Sequence, residues 1–282
     1  RFVTQLGEER ALARARALAA PCPVDLRVDL SRITREEVRA RLIEDGCSDH
    51  IEAPEAFPTV LRVHAGGRLD AHPLHEDGRF SIQALGAQQA AIMLSPRPGE
   101  RILDACAGMG TKTLQLAELM ARRGAIVAAD RSAARLAEQA RARARGGLDA
   151  PGLTVRVVEA DLTGDAPEVD GDGLYDGVLL DAPCTGLGNL ARHPERRWAA
   201  AAEDIADCAA LQARLLARCW QRVRPGGRLV YAVCSLEPEE GPALVAAFAK
   251  EHGLQVIREE TYTPEEHGAD GFYAARIEGR GA

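Results

Sequence analysis

The pattern of apolar and polar positions changes near residue 77. Before it, residues 4–19 read as a helix, and "VDLRVDL" (24–30) alternates as a strand does. "TREEVRARLIEDG" (34–46) reads as a second helix, with Thr34 as N-cap, Glu37 completing a capping box and Gly46 just past its end. "TVLRV" (59–63) suggests another strand, and "HEDGR" marks a turn. These pieces predict a small α+β unit over residues 1–77. From 78 to 282 strands alternate with helical stretches. The strands fall at 101–105, 125–130, 154–160, 176–182 and 228–234, followed by weaker ones at 254–259 and 271–277. Apolar strands joined by helical crossovers imply an α/β fold with a mainly parallel sheet covered on both faces.

Composition narrows the classes. No apolar run approaches the roughly 20 residues that a membrane-spanning helix needs. Seven cysteines without a C-x-x-C pair argue against a disulfide framework or a zinc site, so no metal is expected and a reducing cytoplasm is. The net charge of −7 is unlike that of most nucleic-acid enzymes, although a local basic face is compatible with it. Of 35 basic residues only Lys112 and Lys250 are lysines, and Lys112 sits in a glycine turn, where an ammonium has a use that a guanidinium lacks. A first residue of Arg rather than Met suggests that sequence upstream is missing.

In such sheets ligands bind beyond the carboxyl ends of the strands. The strand at 101–105 runs into "DACAGMGTKT" (104–113), where Gly108 and Gly110 permit close backbone approach at the start of a helix. The next strands end at Asp130 and Asp161. An acid at the first position commonly takes ribose hydroxyls, and Asp130 also suits the N-cap of a helix over 131–145. Asp161 is placed to accept from an adenine amine. Because the loop is not G-x-G-x-x-G, this set fits S-adenosylmethionine better than NAD. The fourth strand ends in "DAPCTG" (181–186) and the fifth in "YAVCS" (231–235). A lone cysteine is more often structural, and Cys22, Cys47, Cys208 and Cys219 are read so; Cys106, in the loop, is expected to pack. Cys184 and Cys234, at two core strand ends beside a cofactor loop, are candidates for chemistry.

Residues from about 18 to 277 resemble the Sun/nucleolar-protein family of RNA cytosine-5 methyltransferases. The resemblance rests on "LDACAGMGTKT", "DAPCTGLGNLARHPERRW", "YAVCSLEPEE", "DGFYAARI" and the N-terminal "PVDLRVD". It implies a seven-stranded Rossmann-like methyltransferase fold and a small N-terminal RNA-binding domain. It further implies that Cys234 is the nucleophile that adds to carbon 6 of cytosine, that Cys184 assists product release, that Asp181 holds the base edge, and that Lys112 touches base or cofactor. Cys106, Ala107, Gly108, Gly110, Lys112, Asp130, Arg131, Asp161 and Asp181 are implied to bind S-adenosylmethionine. The expected substrate is small-subunit ribosomal RNA. Transfer RNA or large-subunit RNA, or a non-catalytic RNA-binding role, are the alternatives.

The chain departs from the family's pattern at several positions. The loop has Gly108, Met109 and Thr111 where Ala, Pro and Gly are usual, Ala84 and Gly86 follow Gln83 where Asp and Ser are usual, and Val233 and Gly241 replace Thr and Asn. The helical N-terminal domain of the bacterial enzymes has no counterpart in the sequence, so an upstream domain or a ribosomal particle is expected to add RNA affinity. Arg192, His193, Arg196 and Arg197 are expected to contact RNA, with Trp198 packed inward, and "RARARGG" (141–147) is expected to be a solvated helix end.

Overall fold

Gly7 splits the N-terminal helix. Its φ of 78° is left-handed, and the segment expected as one helix forms two, Phe2–Leu6 and Glu8–Ala19. The structure, a computed structural model, describes residues 1–171 and 173–279. Residues 172 and 280–282 of the second unit, and the Arg141 side chain of the basic run, lie outside that description.

The first unit is built on an antiparallel sheet of β1 (Val24–Val28), β2 (Ile51–Glu52), β3 (Val60–Val63) and β4 (Phe80–Ile82), in the order β2-β3-β1-β4. The helix Arg35–Glu44 packs on it and opens with the capping box of Thr34 and Glu37. Leu26, Val38, Leu42, Leu61, Val63 and Phe80 form its core. Strand β4 pairs with β1, so the small sheet takes its last strand from beyond residue 77. β2 and β4 are two and three residues long, too short for a periodic signal.

The second unit carries β5 (Arg101–Ala105), β6 (Gly124–Asp130), β7 (Leu153–Glu159), β8 (Tyr175–Asp181), β9 (Val223–Val233), β10 (Leu254–Tyr262) and β11 (Phe272–Gly279). They make one sheet in the order β10-β11-β9-β8-β5-β6-β7, in which β11 runs antiparallel to its neighbours. This is the expected seven-stranded Rossmann-like arrangement. Side chains alternate between two cores: Leu103, Val178, Leu180 and Tyr231 face one, and Ile102, Leu179 and Val230 face the other. Strand order reverses between β5 and β8, and the carboxyl ends there define the crevice where doubly wound sheets bind ligands. Among the described residues no helix is long and apolar enough to cross a membrane.

Arginines tie the two units together. Arg27, on β1 and only 2% exposed, donates to Gln83 Oε1 at 3.1 Å, to Ser81 Oγ at 3.2 Å and to Glu118 Oε1 at 3.0 Å. Arg122 reaches back to Asp29 and Ser31, and Arg62 pairs with Asp25 at 2.9 Å while donating to the His267 carbonyl. Removing one partner of a buried ion pair strands the other. Arg27→Met is therefore expected to lower folding stability by roughly 3–5 kcal/mol, read as a shift in the urea midpoint. An unchanged midpoint would mean that this tie contributes nothing net.

Candidate active site

The parallel pairing of β8 with β9 sets Asp181 beside Ala232, and each chain then turns into a loop that carries a thiol. Cys184 and Cys234 are 50 residues apart in sequence, and their sulfurs are 3.2 Å apart. The buried carboxylate of Glu240 braces both loops. It accepts from the Thr185 N–H at 2.8 Å and the Thr185 hydroxyl, from the Ser235 hydroxyl, and from Gln212 Nε2 at 3.0 Å. Thr185 and Ser235 each directly follow one of the two cysteines. Gly188 closes the arrangement from behind: its N–H donates to the Cys234 carbonyl at 3.1 Å, and it accepts from Gly271 at 2.8 Å. A Cβ at Gly188 would lie 2.1 Å from the Gly271 oxygen, so no side chain fits there.

The two thiols are electrically unequal. The hydrogen bond between the two sulfurs, in which either can donate, pulls the Cys234 pKa below the ordinary thiol value despite burial; Lys112 and Arg196 help. The same bond, with burial, holds Cys184 well above the ordinary value. Cys234 is thus the more acidic thiol of the pair. Lys112 Nζ lies 2.6 Å from Asp181 Oδ2. Burial works to lower the Lys112 pKa, but Asp181 and Asp104 outweigh it and keep the ammonium charged.

These groups line one side of a cavity of about 860 Å³. The glycine loop, with Cys106, Ala107, Gly108 and Lys112, lines another, and Asp130, Arg131 and Asp161 complete it. Gly110 stands at the helix start with φ of 83°, and a Cβ there would press within 2.9 Å of Gln139. Thr111 is the first residue of the helix Thr111–Leu119, so the loop closes without the family's glycine at that position. Asp130 accepts from the Gly108 N–H and the Ser132 N–H, each at 2.9 Å, while Ser132 rather than Asp130 caps the helix Ala133–Gly146. Asp161 is exposed, and the backbone N–H and hydroxyl of Thr163 lower its pKa. The Cys106 thiol is pushed well above its ordinary pKa by burial, and the residue lines the cavity.

Two residues of the site were not anticipated. Asp104 is fully buried, accepts from the Thr113 hydroxyl at 2.6 Å and borders the cavity, yet its Oδ1 makes no hydrogen bond. Burial raises its pKa to about 7. A carboxylate inside the apolar strand "RILDA" was the available signal. Glu240 is the other; in "EPEE" it looks like one of a run of solvated acids.

The basic segment divides. Arg196 lines the cavity and donates to the Thr185 carbonyl at 3.0 Å. Arg192 is held by Asp270 at 2.6 Å and by the Pro23 carbonyl, Arg197 donates to the Leu18 carbonyl, and exposed His193 pairs with Glu195. Trp198 corrects the expectation of inward packing: it is 88% exposed, because the short helix Arg196–Ala199 offers it no apolar neighbour.

Removing the Cys184 thiol removes the largest cause of the lowered Cys234 pKa. The pH profile of Cys234 alkylation is expected to move to higher pH in Cys184→Ala, as read by mass spectrometry of iodoacetamide-labelled peptides. A profile that stays in place or moves down would contradict that contribution of Cys184.

Residues 91–278 match the family described as 16S rRNA methyltransferase RsmB/F. The ribosomal RNA small subunit methyltransferase B of Enterobacter sp. (strain 638) is 34% identical over 265 residues, which cover 90% of this chain and 59% of that relative. The protein of the same name from Salmonella typhi matches with the same identity and coverage. The chain therefore spans about three-fifths of the length of these curated relatives. A solved methyltransferase homolog protein from Pyrococcus horikoshii is 27% identical with a TM-score of 0.83, covering 99% of this chain and 93% of that one. NSun6 from Pyrococcus horikoshii shares the fold, at 19% identity, a TM-score of 0.86 and coverage of 98% and 96%. With two-thirds of its length matched by that family, and the thiol pair and cofactor-type loop inside the match, this chain belongs to the RsmB/F family of 16S rRNA methyltransferases.

Proposed function

We propose that this chain transfers a methyl group from S-adenosylmethionine to carbon 5 of a cytosine in RNA, with small-subunit ribosomal RNA as the substrate. The observation that carries the reading is the unequal thiol pair, 3.2 Å apart, on the wall of a cavity whose other wall is a glycine loop followed by two strand-end acids. Asp104 supports the cofactor: a buried carboxylate oxygen without a partner suits a cationic amine. Asp130 and Asp161 would hold the ribose and the adenine. When bound, the cofactor supplies an electrophilic methyl group.

The residues divide the remaining work. Carbon 5 of cytosine is a poor nucleophile until a thiolate adds to carbon 6 and pushes electrons towards it. Cys234 makes that carbon–sulfur bond. Asp181 accepts from the exocyclic amine, and the Lys112 ammonium beside it stabilises the negative charge that develops in the ring. Once Cys234 is bonded to carbon and carbon 5 carries the methyl group, the sulfur–sulfur hydrogen bond that holds up the Cys184 pKa is lost, and Cys184 can give its proton to solvent. Its thiolate is then placed to take the carbon 5 proton; the electrons of that C–H bond restore the double bond as the carbon 6–sulfur bond breaks, and Cys234 leaves as thiolate. A reducing cytoplasm suits a centre that depends on free thiols.

The test is covalent trapping. Cys184→Ala, incubated with cofactor and unmodified small-subunit ribosomal RNA, is expected to give a protein–RNA band on a denaturing gel. Cys234→Ala and the double variant are expected to give none. A band that survives loss of Cys234 would reassign the nucleophile, and trapping on transfer RNA alone would reassign the substrate. A second test concerns Asp104. The cation favours its charged form, so cofactor affinity is expected to rise with pH through about 7 and then level off. Asp104→Asn should weaken binding roughly 10- to 100-fold and flatten that part of the calorimetric pH profile. A slope that survives in Asp104→Asn would place the titration elsewhere.

A further inference from the structure

The thiol pair has a chemistry open to it besides methyl transfer. Cys184 and Cys234 are free, half-buried and on the wall of the same 860 Å³ cavity. Their sulfurs are 3.2 Å apart, whereas a disulfide needs about 2.05 Å. Both residues lie in loops beyond β8 and β9, so the remaining gap can close without moving a strand. Glu240 already holds the two loops together through Thr185 and Ser235.

The pair also has the asymmetry that peroxide chemistry requires. A peroxide reacts with a thiolate rather than a thiol, and a second thiol in contact then resolves the product. Cys234 is the more acidic of the two, with Lys112 and Arg196 favouring its charged form, and the cavity gives a small oxidant access to it. Cys106 lines the same cavity, but burial holds its thiol in the protonated form, which makes it an internal control.

We propose that Cys184 and Cys234 are a peroxide-responsive pair that closes into a reversible disulfide and so switches the centre off. The Cys234 sulfur attacks one oxygen of hydrogen peroxide, and a sulfur–oxygen bond forms as the oxygen–oxygen bond breaks. Sulfur is oxidised to a sulfenic acid; the other oxygen is reduced and leaves as water with the thiol proton. The Cys184 sulfur then attacks the Cys234 sulfur. The sulfur–oxygen bond breaks, and hydroxide leaves with the Cys184 proton as a second water. Two thiols and one peroxide thus give one disulfide and two waters, and a dithiol reverses the bridge by exchange. The disulfide rests on the geometry alone, while the loss of methyl transfer rests on the function proposed above, which uses both thiols. The sequence expectation excluded a permanent disulfide framework; a transient bridge in a reducing compartment is compatible with it.

The test treats the full chain, reduced and then freed of reductant, with hydrogen peroxide. Intact mass and non-reducing peptide mapping read the result, and circular dichroism confirms that each variant is folded. Expected are the loss of two hydrogen masses, a peptide pair bridging Cys184 and Cys234, and full return with dithiothreitol. Methyl transfer to small-subunit ribosomal RNA should fall in proportion to the bridged fraction and return with the same reductant. Cys184→Ser should keep the first step only, giving a Cys234 sulfenic acid that dimedone traps and that runs on to sulfinic acid, which dithiothreitol does not reverse. Cys234→Ser should form no bridge. Oxygen gained at Cys234 of the parent without bridging, a bridge to Cys106 instead, or methyl transfer that survives complete bridging would each overturn the proposal. If the untreated chain methylates no RNA, the function proposed above fails, and the mass and peptide readouts still decide the bridge.

Discussion

The candidate reactive centre depends on one buried carboxylate. Strand pairing fixes Asp181 and Val233, but both thiols lie beyond the strands, in loops that the sheet does not hold. Glu240 supplies what the sheet lacks, since it accepts from the residue after each cysteine and from Gln212 on the helix Ala202–Trp220. A carboxyl group in the interior is tolerated only when its oxygens are well bonded. Here the donors that satisfy it belong to the two loops that must be kept together. Folding Glu240 inward and setting the sulfurs in contact are one event.

A comparable economy explains the basic residues. A guanidinium carries five donors in a fixed fork and can satisfy several acceptors at once. Arg27, Arg122, Arg192 and Arg197 each cross from one unit to the other, and three of them reach backbone carbonyls there. Lys112 is the exception. It is a compact charge beside Asp181.

The strand ends were legible from the sequence because apolar runs stop abruptly at them, with Asp181 closing β8 and Cys184 and Cys234 standing just beyond. What the sequence withheld was the third dimension of those ends. Nothing in the spacing of Cys184 and Cys234 tells of a 3.2 Å contact, which follows from the parallel register of β8 on β9. Glu240 and Asp104 carry little local signal, since their roles depend on donors distant in the chain or on a cavity that only the fold creates. Trp198 shows the opposite failure: a large aromatic reads as core, but its four-residue helix has nothing to pack it against. The short strands β2 and β4 are likewise set by partners rather than by their own pattern.

The arginine ties between the units have a mechanical consequence. Rocking one unit on the other would strip Arg27, Arg62 and Arg122 of acceptors that water could not readily replace. On the proposed function the protein would be the stiff partner in its encounter with RNA, and the nucleotide would do the bending. A target cytosine would then reach Cys234 by leaving its stack, at an energy cost that depends on its neighbours and its pairing. Discrimination among otherwise equivalent cytosines would lie partly in the flexibility of the RNA, a property encoded outside this chain.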